Sequence, residues 1–409
     1  MMTSKERIMA AWNGSSCDHV PLTTWCFGFP APTELRWEQS GLPVDHWFSL
    51  RMEHIHTLPR QWTLDDEFRR VKAWAKWEID DTVDVSVPWS MDPAVTWRDS
   101  VDETADVYPV MTREYSTPAG DALHAVSRTG EAMSEGWVVQ PDHVPLFEDF
   151  NIPRGVRHLV SGPDDVERLG HLYTGPDPAA EKWFAERMKK VSSFSEEHGA
   201  AVQAWSAFGM DAVVWFTGVE NAVLLALDHP DSFRRLVEII DLADACRTRL
   251  AASNPGVDIV VQRGWYSSTD FWSPTLFDRF LFAGIKHNAE IAHSEGKKFG
   301  YVMTTGVEIL GPRLAEAGVD VLYFADPIQD SVDLASLRDA VGSRMTLVGG
   351  TNSLSLSADN QHRIDSEVKK AIDILGPPNR FILHPVDAIF PDTPEDGVKR
   401  LVDAWMKYR

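Results

Sequence analysis

From about residue 200 onward the chain alternates between two hydrophobic rhythms. Short runs of apolar and β-branched residues at 200–205, 257–261, 298–303, 319–324, 345–348 and 380–383 read as buried strands. Between them lie stretches with apolar residues at helical spacing, such as the one through Val223, Leu224, Leu225 and Leu227 and the one from about Phe277 to His293. Gly318, after Ala317, suits the left-handed residue that ends a helix. Strand and helix in strict alternation predict a parallel sheet covered by helices. Two upstream runs, 20–25 and 82–87, bring the predicted strands to eight, the number that closes a (β/α)8 TIM barrel. Residues 95–180 break the rhythm. They are rich in Gly, Pro and charge and contain alternating stretches such as His124-Ala125-Val126-Ser127-Arg128. We expect an inserted antiparallel β excursion there, an elaboration within one domain spanning 1–409.

Charge narrows the partners. A formal net charge of -22, from 61 acidic and 39 basic residues, repels nucleic-acid phosphates and anionic membrane surfaces. No apolar run reaches the roughly 18 residues that a spanning helix needs, and the run after Arg7 is too short for a signal peptide. The three cysteines, Cys17, Cys26 and Cys246, are widely spaced and odd in number, as expected of free thiols in a reducing, cytoplasmic setting. Sixteen tryptophans supply large apolar bodies for the core, and some of them suit a pocket for a flat ligand.

In a parallel barrel the chemistry sits just beyond the carboxyl ends of the strands. Those positions hold Trp25 and Cys26, Trp89, Phe208 and Met210, then Gln262 to Asp270, Met303, Asp326, Thr351 with Asn352, and His384 with Asp387. Arg263 is a permanent cation able to grip a carboxylate or phosphate, and Tyr266 can donate a proton or orient an oxygen. The structural alternative pairs Arg263 with Asp270. His384 and Asp387, three apart, suit a base beside its orienting carboxylate, or two metal ligands completed by another oxygen. Asp326 ends an apolar strand before Pro327. Phosphate-cradling glycine loops, a nucleophile elbow and C-x-x-C are absent. His54 and His56, flanked by Arg51 and Arg60, read as an exposed helix rather than a metal site.

The order of short motifs adds a further reading. Lys5-Glu6-Arg7 through Asp18-His19-Val20-Pro21, then Leu35-Arg36-Trp37-Glu38-Gln39-Ser40-Gly41-Leu42-Pro43, Thr269-Asp270-Phe271-Trp272-Ser273-Pro274, Glu295-Gly296-Lys297-Lys298, Ala317-Gly318-Val319-Asp320-Val321 and Pro391-Asp392-Thr393-Pro394 together resemble the uroporphyrinogen decarboxylase superfamily. The resemblance spans nearly the whole chain. It implies a (β/α)8 barrel and an enzyme that either decarboxylates tetrapyrrole acetate groups or moves methyl groups to or from corrinoids or thiols. A homodimer is implied as well.

Several departures shape the expectation. The decarboxylases carry an arginine-rich segment after the first strand, where this chain reads Trp25-Cys26-Phe27-Gly28-Phe29-Pro30, and an aspartate near the second, where it reads Val85-Ser86-Val87-Pro88. The zinc-using methyltransferases carry His-x-Cys and a later Cys, where this chain has Tyr301-Val302-Met303 and Asp387; neutral Tyr and Met are poor replacements for zinc ligands. We therefore expect a methyltransferase that passes a methyl group from a small methylated substrate to a corrinoid or tetrahydrofolate, with a corrinoid carrier protein as a possible partner. In that reading Trp25, Trp265 and Tyr266 shape the pocket and Arg263 orients an anionic group. Trp89, Asp270, Tyr301, Met303, Asp326 and Asn352 complete the lining, and Tyr266, His384 or Asp387 supplies the proton to the leaving heteroatom. The alternatives are a decarboxylase or lyase acting on a carboxylate, and a non-catalytic tetrapyrrole-binding barrel.

Overall fold

The computed structural model describes residues 2–25, 64–105, 107–128, 144, 146–147, 154–357, 359–389 and 393–409. Cys26, the 27–30 segment, the 35–43 motif, His54, His56, Pro391 and Asp392 lie outside these residues.

Strands β1 (Thr82–Ser86), β6 (Ala201–Ala207), β7 (Ile259–Gln262), β8 (Lys298–Val302), β9 (Val321–Ala325), β10 (Thr346–Asn352) and β11 (Phe381–Val386) form one seven-stranded parallel sheet in that order. Every pairing is parallel. A parallel sheet covered on both faces favours continuous apolar strands, and β1, β6, β7, β9, β10 and β11 are buried throughout their length. The connecting helices carry conventional signals. Pro178–His198 starts on Asp177, whose side chain accepts the Ala180 N–H, has proline in its first turn, and ends on left-handed Gly199.

The sheet is TIM-barrel-like, and it departs from expectation at the first predicted strand. Of residues 20–25 only Leu22 forms a ladder bridge, parallel to Leu383 of β11. On the opposite side Asp80 donates its N–H to the Leu22 carbonyl at 2.8 Å. Beyond that point helix Leu64–Ala75 fills the seam with side chains. Glu67 Oε1 accepts the Asp84 N–H at 2.7 Å, and Arg70 Nη2 donates to the Thr82 carbonyl at 2.8 Å. Both side chains are buried. A charged pair thus takes the hydrogen bonds that a longer first strand would have made to the edge of β1.

Strands β2 (Thr96–Asp102), β3 (Val110–Thr117), β4 (Gly120–Ser127) and β5 (Gly155–Arg157) form a separate antiparallel sheet. They fall within the stretch that interrupts the barrel rhythm. Its inner face rests on helix Val166–Leu172, where Met111, Tyr115, Ala122 and His124 are buried. Among the described residues no single helix is long and apolar enough to cross a membrane.

Candidate functional site

Side chains alternate along a strand, so register decides which of them share the inner face. A Cβ at Gly300 would contact Tyr323, Val261 and Ile259, which places these three on one face of adjoining strands. Tyr323 leads from there to the mouth. Its ring stacks on Trp25 with centroids 5.6 Å apart and an interplanar angle of 22°. Trp25 also meets Trp205 at 5.0 Å, Trp265 at 5.8 Å, Phe324 at 4.8 Å and His384 at 5.4 Å. Rings from β6, β9, β11 and the turn after β7 converge on one tryptophan only because the sheet curls. The result is an aromatic cluster at the carboxyl ends of the strands, where Trp265 is the half-buried member, and Tyr266 beside it packs on Phe271 at 5.7 Å.

His384 lies wholly inside this cluster. Its Nδ1 shares a hydrogen bond with Thr23 Oγ1 at 3.1 Å, and its Nε2 approaches the main-chain carbonyl of Asp387 at 3.4 Å. The expected contact with the Asp387 carboxylate is replaced by this main-chain one. Burial pulls the imidazole down to about 4, so at neutral pH it is an uncharged hydrogen-bonding group and not an imidazolium acid.

Arg263 is buried and committed. Asp211 Oδ2 accepts its Nε–H at 2.9 Å, and the guanidinium lies over the rings of Trp265 and Trp215, 4.4 and 4.9 Å from their centroids. Asp211 Oδ1 also accepts the Tyr266 N–H at 3.0 Å. The carboxylate that meets Arg263 is therefore Asp211 and not Asp270, which instead accepts a hydrogen bond from Thr305 Oγ1 at 2.6 Å. The pair sets the Trp265–Tyr266 turn against the barrel.

The other sequence candidates scatter. Asp326 ties the loop after β9, accepting the Ile328 and Gln329 N–H groups and Asn352 Nδ2 at 2.8, 3.2 and 2.7 Å. Asn352 in turn accepts the Leu354 N–H at 2.8 Å. Both act as strand-end clamps. Met303 is buried, its N–H donated to the Tyr323 carbonyl at 2.9 Å. Tyr301 points to the other side of the sheet, towards Phe280 and Ile285, with its hydroxyl donated to Ser267 Oγ at 2.8 Å. Trp89 packs on Phe147 and Tyr173, 5.1 and 6.0 Å away, apart from the Trp25 cluster.

Sequence reading missed Trp205, Tyr323, Phe324, Gln203 and Asp84. Gln203 Oε1 accepts the Tyr323 hydroxyl at 2.5 Å. Asp84, the register partner of Gln203, is buried with Oδ2 unbonded and 3.9 Å from Arg70. Burial, with Glu67 nearby, holds its carboxyl well above the usual range. Sequence reading also missed the network behind the mouth. Asp244 accepts the Phe208 and Gly209 N–H groups at 2.9 and 2.7 Å and the Tyr173 hydroxyl, while Arg247 donates to the Val87 carbonyl at 2.8 Å. Nothing in local spacing announces these helix-borne groups. Only the strand-to-helix packing does.

The donor set does not fit the zinc of the methyltransferases that the sequence motifs resemble. Both His384 nitrogens face oxygen partners, its ring neighbours are Trp25 and Phe324, and no group of three or more His, Cys, Asp or Glu suited to a metal exists among the described residues.

The uroporphyrinogen decarboxylase (URO-D) family model matches residues 216–408. Comparison with curated proteins returns no match. Among solved structures, a methyltransferase from Methanosarcina mazei is similar over 100% of this chain and 99% of its own, at 15% identity and a TM-score of 0.58. A 3-keto-D-glucoside 4-epimerase from E. coli covers 56% of this chain and 86% of its own, at 11% identity and a TM-score of 0.33. A D-psicose 3-epimerase from Clostridium cellulolyticum H10 covers 54% and 82%, at 12% identity and a TM-score of 0.34. Over residues 216–408, a little under half of its length, the chain is similar to the uroporphyrinogen decarboxylase family.

Proposed function

We propose that this protein is a methyltransferase that moves a methyl group from a small methylated substrate to a corrinoid or folate acceptor. The observation that carries the reading is the make-up of the mouth. Five aromatic rings and a neutral His384 meet there, and the nearby guanidinium, Arg263, is already held by Asp211. Such a surface suits an apolar or flat methylated compound, and it suits poorly a tetrapyrrole whose several carboxylates each need a cation. The whole-chain likeness in fold to a methyltransferase supports the same reading.

Methyl transfer asks for alignment of donor and acceptor and for a proton on the departing heteroatom. Trp265 and Tyr266, held by the Asp211–Arg263 pair, provide the aligning surface. Neutral His384 can donate a hydrogen bond, and the Tyr266 hydroxyl and the Asp387 carboxyl are the groups able to deliver the proton. The acceptor, when bound, takes the methyl group.

The test is a visible-spectrum titration with cob(I)alamin and methylcobalamin, with tetrahydrofolate in parallel, followed by turnover of methoxylated and N-methyl compounds. Saturable acceptor binding and acceptor-dependent demethylation are expected, with Trp265→Ala lowering kcat/KM at least about tenfold by loss of alignment. Release of carbon dioxide from a carboxylate substrate without any acceptor would overturn the reading in favour of a lyase.

A further inference from the structure

On the inner face of the antiparallel sheet, cross-strand register lines up Asp99, Arg113 and His124 on β2, β3 and β4. The first two neutralise one another, since Arg113 donates Nε–H and Nη2–H to the two Asp99 carboxylate oxygens at 2.7 and 2.9 Å. His124 comes next in the row. It is 1% exposed, and neither of its ring nitrogens has a hydrogen-bond partner. A neutral imidazole carries one N–H and one lone pair, so two polar demands stand unmet in a place that solvent barely reaches.

Across from it lies His158, just after β5, with ring centroids 6.4 Å apart and planes at 41°. The His158 Nδ1 is buried and unbonded as well. Its ring is fixed by two glycines. A Cβ on Gly155 would come within 2.4 Å of Cε1, and one on Gly218 within 2.5 Å of Nε2. The absence of side chains at both positions makes a slot that holds the imidazole facing His124. Burial keeps both rings unprotonated at neutral pH, with His124 brought down to about 3. Two such rings offer lone pairs and no positive charge.

We propose that His124 and His158 are two ligands of a divalent transition-metal ion of the zinc, copper or nickel kind, which ties β4 of the antiparallel sheet to the segment entering the barrel. Neutral imidazoles without a thiolate suit these borderline ions and not calcium or magnesium. With metal–nitrogen bonds of about 2.0–2.1 Å, two imidazoles on one ion have centroids roughly 5–6.5 Å apart. The observed 6.4 Å is the open end of that range, so closure on the metal needs a shift of at most about 1 Å. Among the described residues no third His, Cys, Asp or Glu joins the pair, so the protein supplies two ligands. The site shares no residue with the aromatic mouth and stands independently of the methyltransferase reading.

Tag-free, chelator-stripped full-length protein is titrated with zinc and nickel by calorimetry, and a copper-loaded sample is examined by electron paramagnetic resonance. We expect one saturable ion per chain, at least tenfold weaker in His124→Ala and in His158→Ala and unchanged in His293→Ala, with nitrogen hyperfine structure from two imidazoles in the wild type. The resonance spectrum decides even where a variant fails to fold. A wild type without saturable binding, a copper spectrum lacking imidazole nitrogens, or binding retained by folded variants overturns the site.

Discussion

The wholly buried His384 titrates differently from a solvent-facing histidine. Its imidazole is held near 4 in the fold, against an ordinary value of 6.5 when the chain unfolds. A base depressed in the folded state binds more protons when unfolded, so its contribution is complete above pH 6.5 and is lost as pH falls towards 4. We expect His384→Gln to remove on the order of 3 kcal/mol from the fall in unfolding free energy across that window, measured by urea denaturation at stepped pH. A variant whose acid limb matches the wild type would show the imidazole already protonated or relieved. Legibility at this scale was uneven for a physical reason. Trp25, Trp265 and His384 could be picked out because they end or follow the apolar runs that read as strands. Trp205, Tyr323 and Phe324 sit inside apolar runs, and only the curl and register of the sheet make them neighbours of Trp25.

The seam beside β1 shows what helix and strand do for one another. Arg70, 1% exposed, is hydrogen-bonded by Glu67 and Asp81, and Asp84 lies farther off at 3.9 Å. Removing the guanidinium leaves buried carboxyls without their counter-charge and the Thr82 carbonyl without its donor, whereas burial, with Glu67 nearby, holds the more distant Asp84 carboxyl well above its usual range. Arg70→Ala should therefore cost about 3–5 kcal/mol. Asp84→Asn, which replaces one neutral group by another of similar shape, should cost less than about 1.5 kcal/mol. Paired urea midpoints check both, and equal losses would mean that Asp84 is ionised and paired. Continuous apolar runs made six strands of the carboxyl-terminal half and β1 readable. Residues 20–25 carry the same apolar pattern yet form one bridge, because the donors and acceptors of β1 go to Glu67 and Arg70. No strand pattern encodes that competition.

At the scale of the whole molecule, the alternation of strand and helix told the class of fold, and the broken rhythm of 95–180 marked where the antiparallel sheet emerges. Charge adds a kinetic consequence that contacts alone do not show. The chain carries -22 formal charges, so an acceptor that is itself anionic approaches against a repulsive field. The Debye length is roughly 30 Å at 0.01 M salt and near 8 Å at 0.15 M, so added salt should shorten the range of that repulsion. If the acceptor is tetrahydrofolate, a dicarboxylate, stopped-flow association should accelerate several-fold from about 0.01 to 0.15 M sodium chloride while dissociation changes little. Slower association with salt would mean that cations at the mouth outweigh the global field, and the tetrapyrrole carboxylates set aside above would again become plausible ligands. Salt-independent association would instead point to an acceptor of little net charge, and the slope therefore separates acceptor classes before any product is identified.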